Sequence, residues 1–160
     1  MILRPFLSNR PLVVLLLIPL IVGFQLLNAQ FNFHPLIEVV DLGLWGKTVH
    51  LSYWWTSIAA SVIVMSNAFQ LNFLFNQHEF LDKNNYGPSL FYVVLMSFSH
   101  SFYQVDAVLI CHIFLLQSLR LLFRLKSNES NLVSSFNSAF FIGLSASFLT
   151  PAAGLIIPFW

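Results

Sequence analysis

Five stretches rich in Leu, Ile, Val and Phe dominate this chain, at residues 11–27, 51–75, 89–102, 105–125 and 136–150. A helix crosses the hydrocarbon of a bilayer with about 20 consecutive apolar residues, in a range of roughly 17–25. The first, second and fourth stretches meet that length; the third and fifth fall short and must thin the bilayer, extend into flanking residues or bury against neighbours. The composition leaves little alternative. The chain is 58% hydrophobic and 8% charged, against about 25% charged in an average soluble domain, so it lacks the polar surface needed to stay dispersed in water. The fold expected is all-α, a polytopic transmembrane helical bundle forming one membrane domain over residues 1–160. A further apolar segment begins at 152–160.

The first apolar run follows Arg4 and Arg10 and resembles a secretory leader only superficially. It is longer than the usual apolar core of such leaders, and "NAQ" at 28–30 is a poor cleavage site. It reads as a retained membrane helix. Cationic residues set orientation, since cytoplasmic connections collect Lys and Arg. With the N-terminus inside, Arg4, Arg10, Lys83, Arg120, Arg124 and Lys126 all fall on the cytoplasmic side and only Lys47 falls outside. The net charge of +1 offers no basic field for nucleic acid. Cys111 is the one cysteine and cannot form an internal disulfide.

The connections carry what polar chemistry there is. In "HPLIEVVDLGLWGK", 34–47, the residues Ile37, Val40 and Leu44 stand at helical spacing. This predicts a short external amphipathic helix with Trp45 at headgroup level and His34, Glu38 and Asp41 toward water. Glu38 and Asp41, one helical turn apart, can share a face. Their place just after the first crossing resembles that of the acidic catalytic residue in multi-helix polyprenyl-phosphate glycosyltransferases. In such an enzyme one of them would act as general base or hold a metal. The stretch "NQHEFLDKNNYGP", 76–88, has the length and the Gly-Pro chemistry of a turn between antiparallel helices. It also gathers His78, Glu79 and Lys83. His112 lies within an apolar run, where an ionisable group is a functional candidate by default. Two stripes predict close helix packing: Ser52, Thr56, Ala60, Asn67 and Gln70 on the second helix, and Ala139, Gly143 and Ser147 on the fifth. No pattern for a zinc protease, phosphate loop or serine hydrolase is present, and no cofactor or metal is expected.

Two stretches, "NQHEFLDKNNYGPSLFYVVLMS" at 76–97 and "FNSAFFIGLSASFLTPAAGLIIPF" at 136–159, resemble an uncharacterised family of polytopic integral membrane proteins of Bacteroidetes bacteria. His78, Glu79, Leu81, Lys83, Asn84, Tyr86 and Pro88 follow its pattern, while Gly87 and Ser89 depart from the Leu and Ala usual there. The resemblance implies a bacterial inner-membrane protein of which this chain is an N-terminal half or fragment. It also raises His78, Glu79 and Lys83 to a cytoplasmic docking or headgroup-contact patch. The functional expectation is a non-catalytic membrane subunit or scaffold of a cell-envelope complex, with membrane lipids and other membrane subunits as partners. Two alternatives stand beside it: a glycosyltransferase or polymerase acting on lipid-linked sugars at the outer face through Glu38 or Asp41, and a small transporter subunit using His112.

Overall fold

A computed structural model describes residues 6, 11–31, 37–41, 48–78, 80, 85–125, 131–149 and 152. Among these the chain is predominantly helical, with α1 at Leu17–Phe31, α2 at Tyr53–Gln77, α3 at Gly87–Met96, α4 at Ala107–Leu125 and α5 at Asn131–Phe148. A 3-10 helix, Pro11–Leu16, leads into α1, and another, His100–Phe102, follows α3. Two candidate membrane spans, Val13–Phe31 and Tyr53–Gln77, are long and apolar enough to cross a bilayer. The apolar parts of the other helices, Gly87–Met96, Ala107–Phe123 and Leu132–Phe148, are shorter.

One expectation is overturned. The segment after α1 contains no amphipathic helix among its described residues; it forms strands β1, Ile37–Asp41, and β2, Thr48–Ser52, which pair in a two-stranded sheet. The connection of six residues is too short for a parallel crossover, so the pair is an antiparallel hairpin. The reason is local. Ile37, Val39, Val40, Thr48 and Val49 are β-branched and lose side-chain freedom in a helix. Gly43 and Gly46 lie between the two runs, and glycine lowers helix propensity. His34, Trp45 and Lys47 lie outside the described residues, as does the expected apolar segment at 152–160 apart from Ala152.

The chain resolves into two compact units, one of Met1–Glu38 with His50–Val105 and the other of Val39–Val49 with Asp106–Trp160. In the first, α2 and α3 form an antiparallel hairpin closed by its own connection. Asn76 Nδ2 donates to the Asn85 carbonyl at 3.1 Å, and the Asn85 N–H donates back to Asn76 Oδ1 at 3.3 Å. Asn85 then starts α3, its Oδ1 accepting from the Gly87 N–H at 2.9 Å. A Cβ at residue 87 would stand 3.0 Å from that same Oδ1, so glycine suits the turn. Pro88 follows inside the first turn of the helix, where its missing N–H costs nothing.

Helix α3 ends at Met96, earlier than the apolar run at 89–102 suggests. The backbone is diverted by serines: Ser97 Oγ donates to the Val94 carbonyl at 2.7 Å, and Ser99 Oγ accepts from the Ser101 N–H at 3.3 Å. The α-helical part rises only ~15 Å, half of a ~30 Å hydrocarbon core. Phe102 at the end of this turn is fully buried and meets Phe24 of α1 edge-on at 6.0 Å.

The second unit is built on the α4–α5 pair. Asp106 caps α4, its Oδ1 accepting from the Leu109 N–H at 2.8 Å. The buried hydroxyls of Ser118 and Ser138 meet at 2.8 Å, Cys111 contacts Ser145, and Phe114 stacks between Phe141 at 6.3 Å and Phe148 at 5.7 Å. These pairs nest inward toward the connection at 126–130, which is the mark of antiparallel helices. The seam therefore runs along Ser138, Ile142 and Ser145, which are buried, and not along the predicted stripe of Ala139, Gly143 and Ser147. Ala139 and Gly143 are exposed, and nothing lies within 4 Å of a Cβ placed on Gly143. Phe141 and Phe148 decide the rotation of α5: facing Phe114, they turn the small stripe outward.

Candidate functional site

Among the described residues, three groupings of polar side chains stand out. The first is a closed network around Gln25 of α1, which is 8% exposed. Its Oε1 accepts from Ser57 Oγ at 2.8 Å; its Nε2 donates to Ser61 Oγ at 3.2 Å and to the Phe102 carbonyl at 3.0 Å. Ser61 in turn donates to the Ser57 carbonyl at 2.8 Å. One amide thus ties α1, α2 and the turn after α3 together, with both of its ends used. The chemistry of such a site is positional: it holds helices in register and leaves no group open to a substrate. Sequence reading passed over Gln25 because a single Gln in an apolar helix has no neighbour in sequence to flag it; Ser57 and Ser61, one turn apart on α2, were the available signal.

The second place is the Ser118–Ser138 and Cys111–Ser145 seam in the other unit. It too is closed, since the hydroxyls of Ser138 and Ser145 also bond to the backbone carbonyls of Ser118 and Ile142.

The third is open. A groove of about 530 Å³ runs between α2 and α3, lined by Leu71, Phe75, Asn85, Pro88, Phe91, Tyr92 and neighbouring residues. Among the described residues its walls are apolar except for Asn85 at the connection and Tyr92 partway along. Against Tyr92 stands the side chain of Asn67, one turn before Leu71 on α2 and fully buried. The Asn67 side chain is the hydrogen-bond partner of Tyr92, and neither Asn67 nor Gln70 is among the described residues that line the groove. Among the described residues its lining bears no charge, and apolar walls with a few polar atoms are the usual form of a small-molecule site.

The residues singled out from sequence are distributed differently. Glu38 and Asp41 fall on strand β1 and not on a helix, so the one-turn helical spacing that joined them does not apply. His78 caps the end of α2 through its N–H to the Leu74 carbonyl at 3.2 Å, with its ring 6.1 Å from that of Phe80. Glu79 and Lys83 lie outside the described residues. His112 is half-buried on α4, within electrostatic reach of Asp106. Among the described residues no three His, Cys, Asp or Glu side chains gather into a group suited to a metal ion. Near the Gln25 network, Tyr103 donates to the Ser97 carbonyl at 2.8 Å, and burial raises its pKa above that of a free phenol. Comparisons with known protein families, with curated proteins and with solved structures give no match.

Proposed function

We propose that the chain is a multi-pass protein of a bacterial inner membrane, N-terminus in the cytoplasm, that serves as a non-catalytic subunit or scaffold of a cell-envelope complex. One observation carries the membrane part of this reading: many large apolar side chains face outward while several polar ones are buried. Gln25, Thr56, Asn67, Ser89, Ser118, Ser138 and Ser145 are buried, while Trp55 is 68% exposed, Leu95 67%, Phe136 72% and Leu132 88%. Water would penalise that arrangement at every helix; lipid favours it. A soluble core helix also passes a test of length and hydropathy, but only 22% of the first span and 33% of the second are buried. The exposed faces of α3 and α5 extend the argument to the shorter helices. Trp54 and Trp55 at the start of α2 suit a membrane–water interface. The Gln25 network supports α1 as a retained helix, because a cleaved leader would take with it the partner of Ser57 and of the Phe102 carbonyl.

The scaffold part rests on the closed polar networks around Gln25 and along the α4–α5 seam, which hold helices together, and on the resemblance of 76–97 to a membrane protein family. His78, Glu79 and Lys83 form the docking patch in this reading. The test has two arms. In a Cys111→Ser background, single cysteines replacing Lys83 and Lys126 are expected to be shielded from an impermeant maleimide in intact cells, and one replacing Lys47 labelled. Labelling at 83 and 126 on opposite sides, or recovery of the chain without detergent, refutes the membrane topology. Loss of co-purifying subunits in a His78→Ala, Glu79→Ala variant of normal abundance is the expected result of the second arm; an unchanged set of partners refutes the patch.

A further inference from the structure

The first span combines two kinds of helix. Residues Pro11–Leu16 form a 3-10 helix and Leu17–Phe31 an α-helix. A 3-10 run of six residues exceeds the roughly three or four at which such helices usually end. Pro19 accounts for it. Were an α-helix to begin at Pro11, Pro19 would lie in its interior, with no N–H for the Leu15 carbonyl and its ring pressed against that carbonyl. With α1 beginning at Leu17, Pro19 falls in the first turn, where N–H groups have no intrahelical partner in any case. A 3-10 turn directs the Leu15 carbonyl to residue 18 instead. One exposed proline therefore stands between two helical forms of the same six residues.

The two forms differ in length and twist. A 3-10 helix rises about 2.0 Å per residue and an α-helix about 1.5 Å. Over Pro11–Leu16 the change amounts to about 3 Å, with a rotation of about 120°. That length is on the order of the difference between thin and average bilayers. The far part of the span is fixed. Gln25 is bonded to Ser57, to Ser61 and to the Phe102 carbonyl, and Leu17 and Ile21 are buried with it. A change of length must then appear at the N-terminal end. We propose that Pro11–Leu16 responds to bilayer thickness, a 3-10 helix in thicker bilayers that winds into an α-helix in thinner ones, with Pro19 keeping the two forms close in free energy. The span Val13–Phe31 then matches the hydrocarbon by changing its own length, where an all-α span tilts or deforms the bilayer. The proposal rests on the membrane reading above, which its test examines separately.

The full chain is reconstituted in nanodiscs of dimyristoleoyl, dioleoyl or dierucoyl phosphatidylcholine, which form progressively thicker bilayers. Residues 11–16 are followed by nuclear magnetic resonance. Contacts from an Hα to the amide two residues on mark a 3-10 helix, and contacts to the amide four residues on mark an α-helix. The 3-10 contacts are expected to dominate in the thickest bilayer and to fall several-fold in the thinnest, as α-helical contacts replace them. Pro19→Ala, at an exposed position, is expected to give the α-helical pattern in all three bilayers. A wild-type chain that keeps one pattern across the three thicknesses overturns the proposal, as does a 3-10 pattern that survives in Pro19→Ala. The wild-type series decides by itself if the variant folds poorly. Failure of the membrane reading has a different signature: the chain stays in solution and does not enter the nanodiscs.

Discussion

Replacing Gln25 with leucine tests the architecture of the first unit at the point where most of it converges. The two side chains are close in volume, so packing is retained while three hydrogen bonds are lost: from Ser57 Oγ, to Ser61 Oγ and to the Phe102 carbonyl. Hydrogen bonds between membrane helices average ~0.6 kcal/mol and reach ~1.7 kcal/mol, so the three together contribute about 2 kcal/mol. The Phe102 carbonyl adds to this, because a buried acceptor deprived of its donor costs about 1–3 kcal/mol. The expected destabilisation is about 2–4 kcal/mol. Ser57→Ala removes one bond and should cost about 0.6–1 kcal/mol. Reversible unfolding by sodium dodecyl sulfate in mixed micelles, followed by the fluorescence of Trp54 and Trp55, measures both. The double variant closes a thermodynamic cycle, and because Gln25 and Ser57 share a bond their effects should fall short of additive. A loss below about 0.5 kcal/mol for Gln25→Leu, or strict additivity with Ser57→Ala, refutes the claim that one amide holds α1, α2 and the turn after α3 in register.

Further consequences follow from the second unit and the turns. Cys111 is fully buried, so a maleimide should leave it unmodified in the native protein and label it completely in denaturant; fast native labelling refutes the α4–α5 packing. Asp106→Ala removes the cap of α4 and should cost about 1 kcal/mol, with Asp106→Asn close to wild type, in the same detergent titration. Gly143→Ala meets open space on a helix and is expected to stabilise by about 0.5–1 kcal/mol; a loss instead would mean that this stripe packs closely against another helix. Gly87→Ala drives a Cβ to 3.0 Å from Asn85 Oδ1, so it should disturb the start of α3, read as faster amide exchange at residues 85–90.

The helical character of the chain, the long second helix and the turn at 76–88 were legible in the sequence because each depends on neighbours in the chain. Hydrophobic runs dictate internally bonded backbone, and Asn-Asn-Tyr-Gly-Pro dictates a turn from its own φ preferences and side-chain acceptors. The hairpin at 37–52 was legible too, in its β-branched residues and glycines, but three apolar positions at helical spacing concealed it. That misreading joined Glu38 to Asp41, because shared-face arguments hold only for the period assumed. Which face each helix turns inward was not legible. Every face of an apolar helix looks alike to lipid, so rotation is decided by a few polar and aromatic contacts between segments far apart in sequence. Gln25 finds Ser57, Ser61 and Phe102; Phe114 finds Phe141 and Phe148, and so exposes Ala139 and Gly143. The pairing of Asn67 with Tyr92 belongs to the same class: on the chain Asn67 is one more polar residue in a packing stripe, and only the folded pair of α2 and α3 brings it to Tyr92.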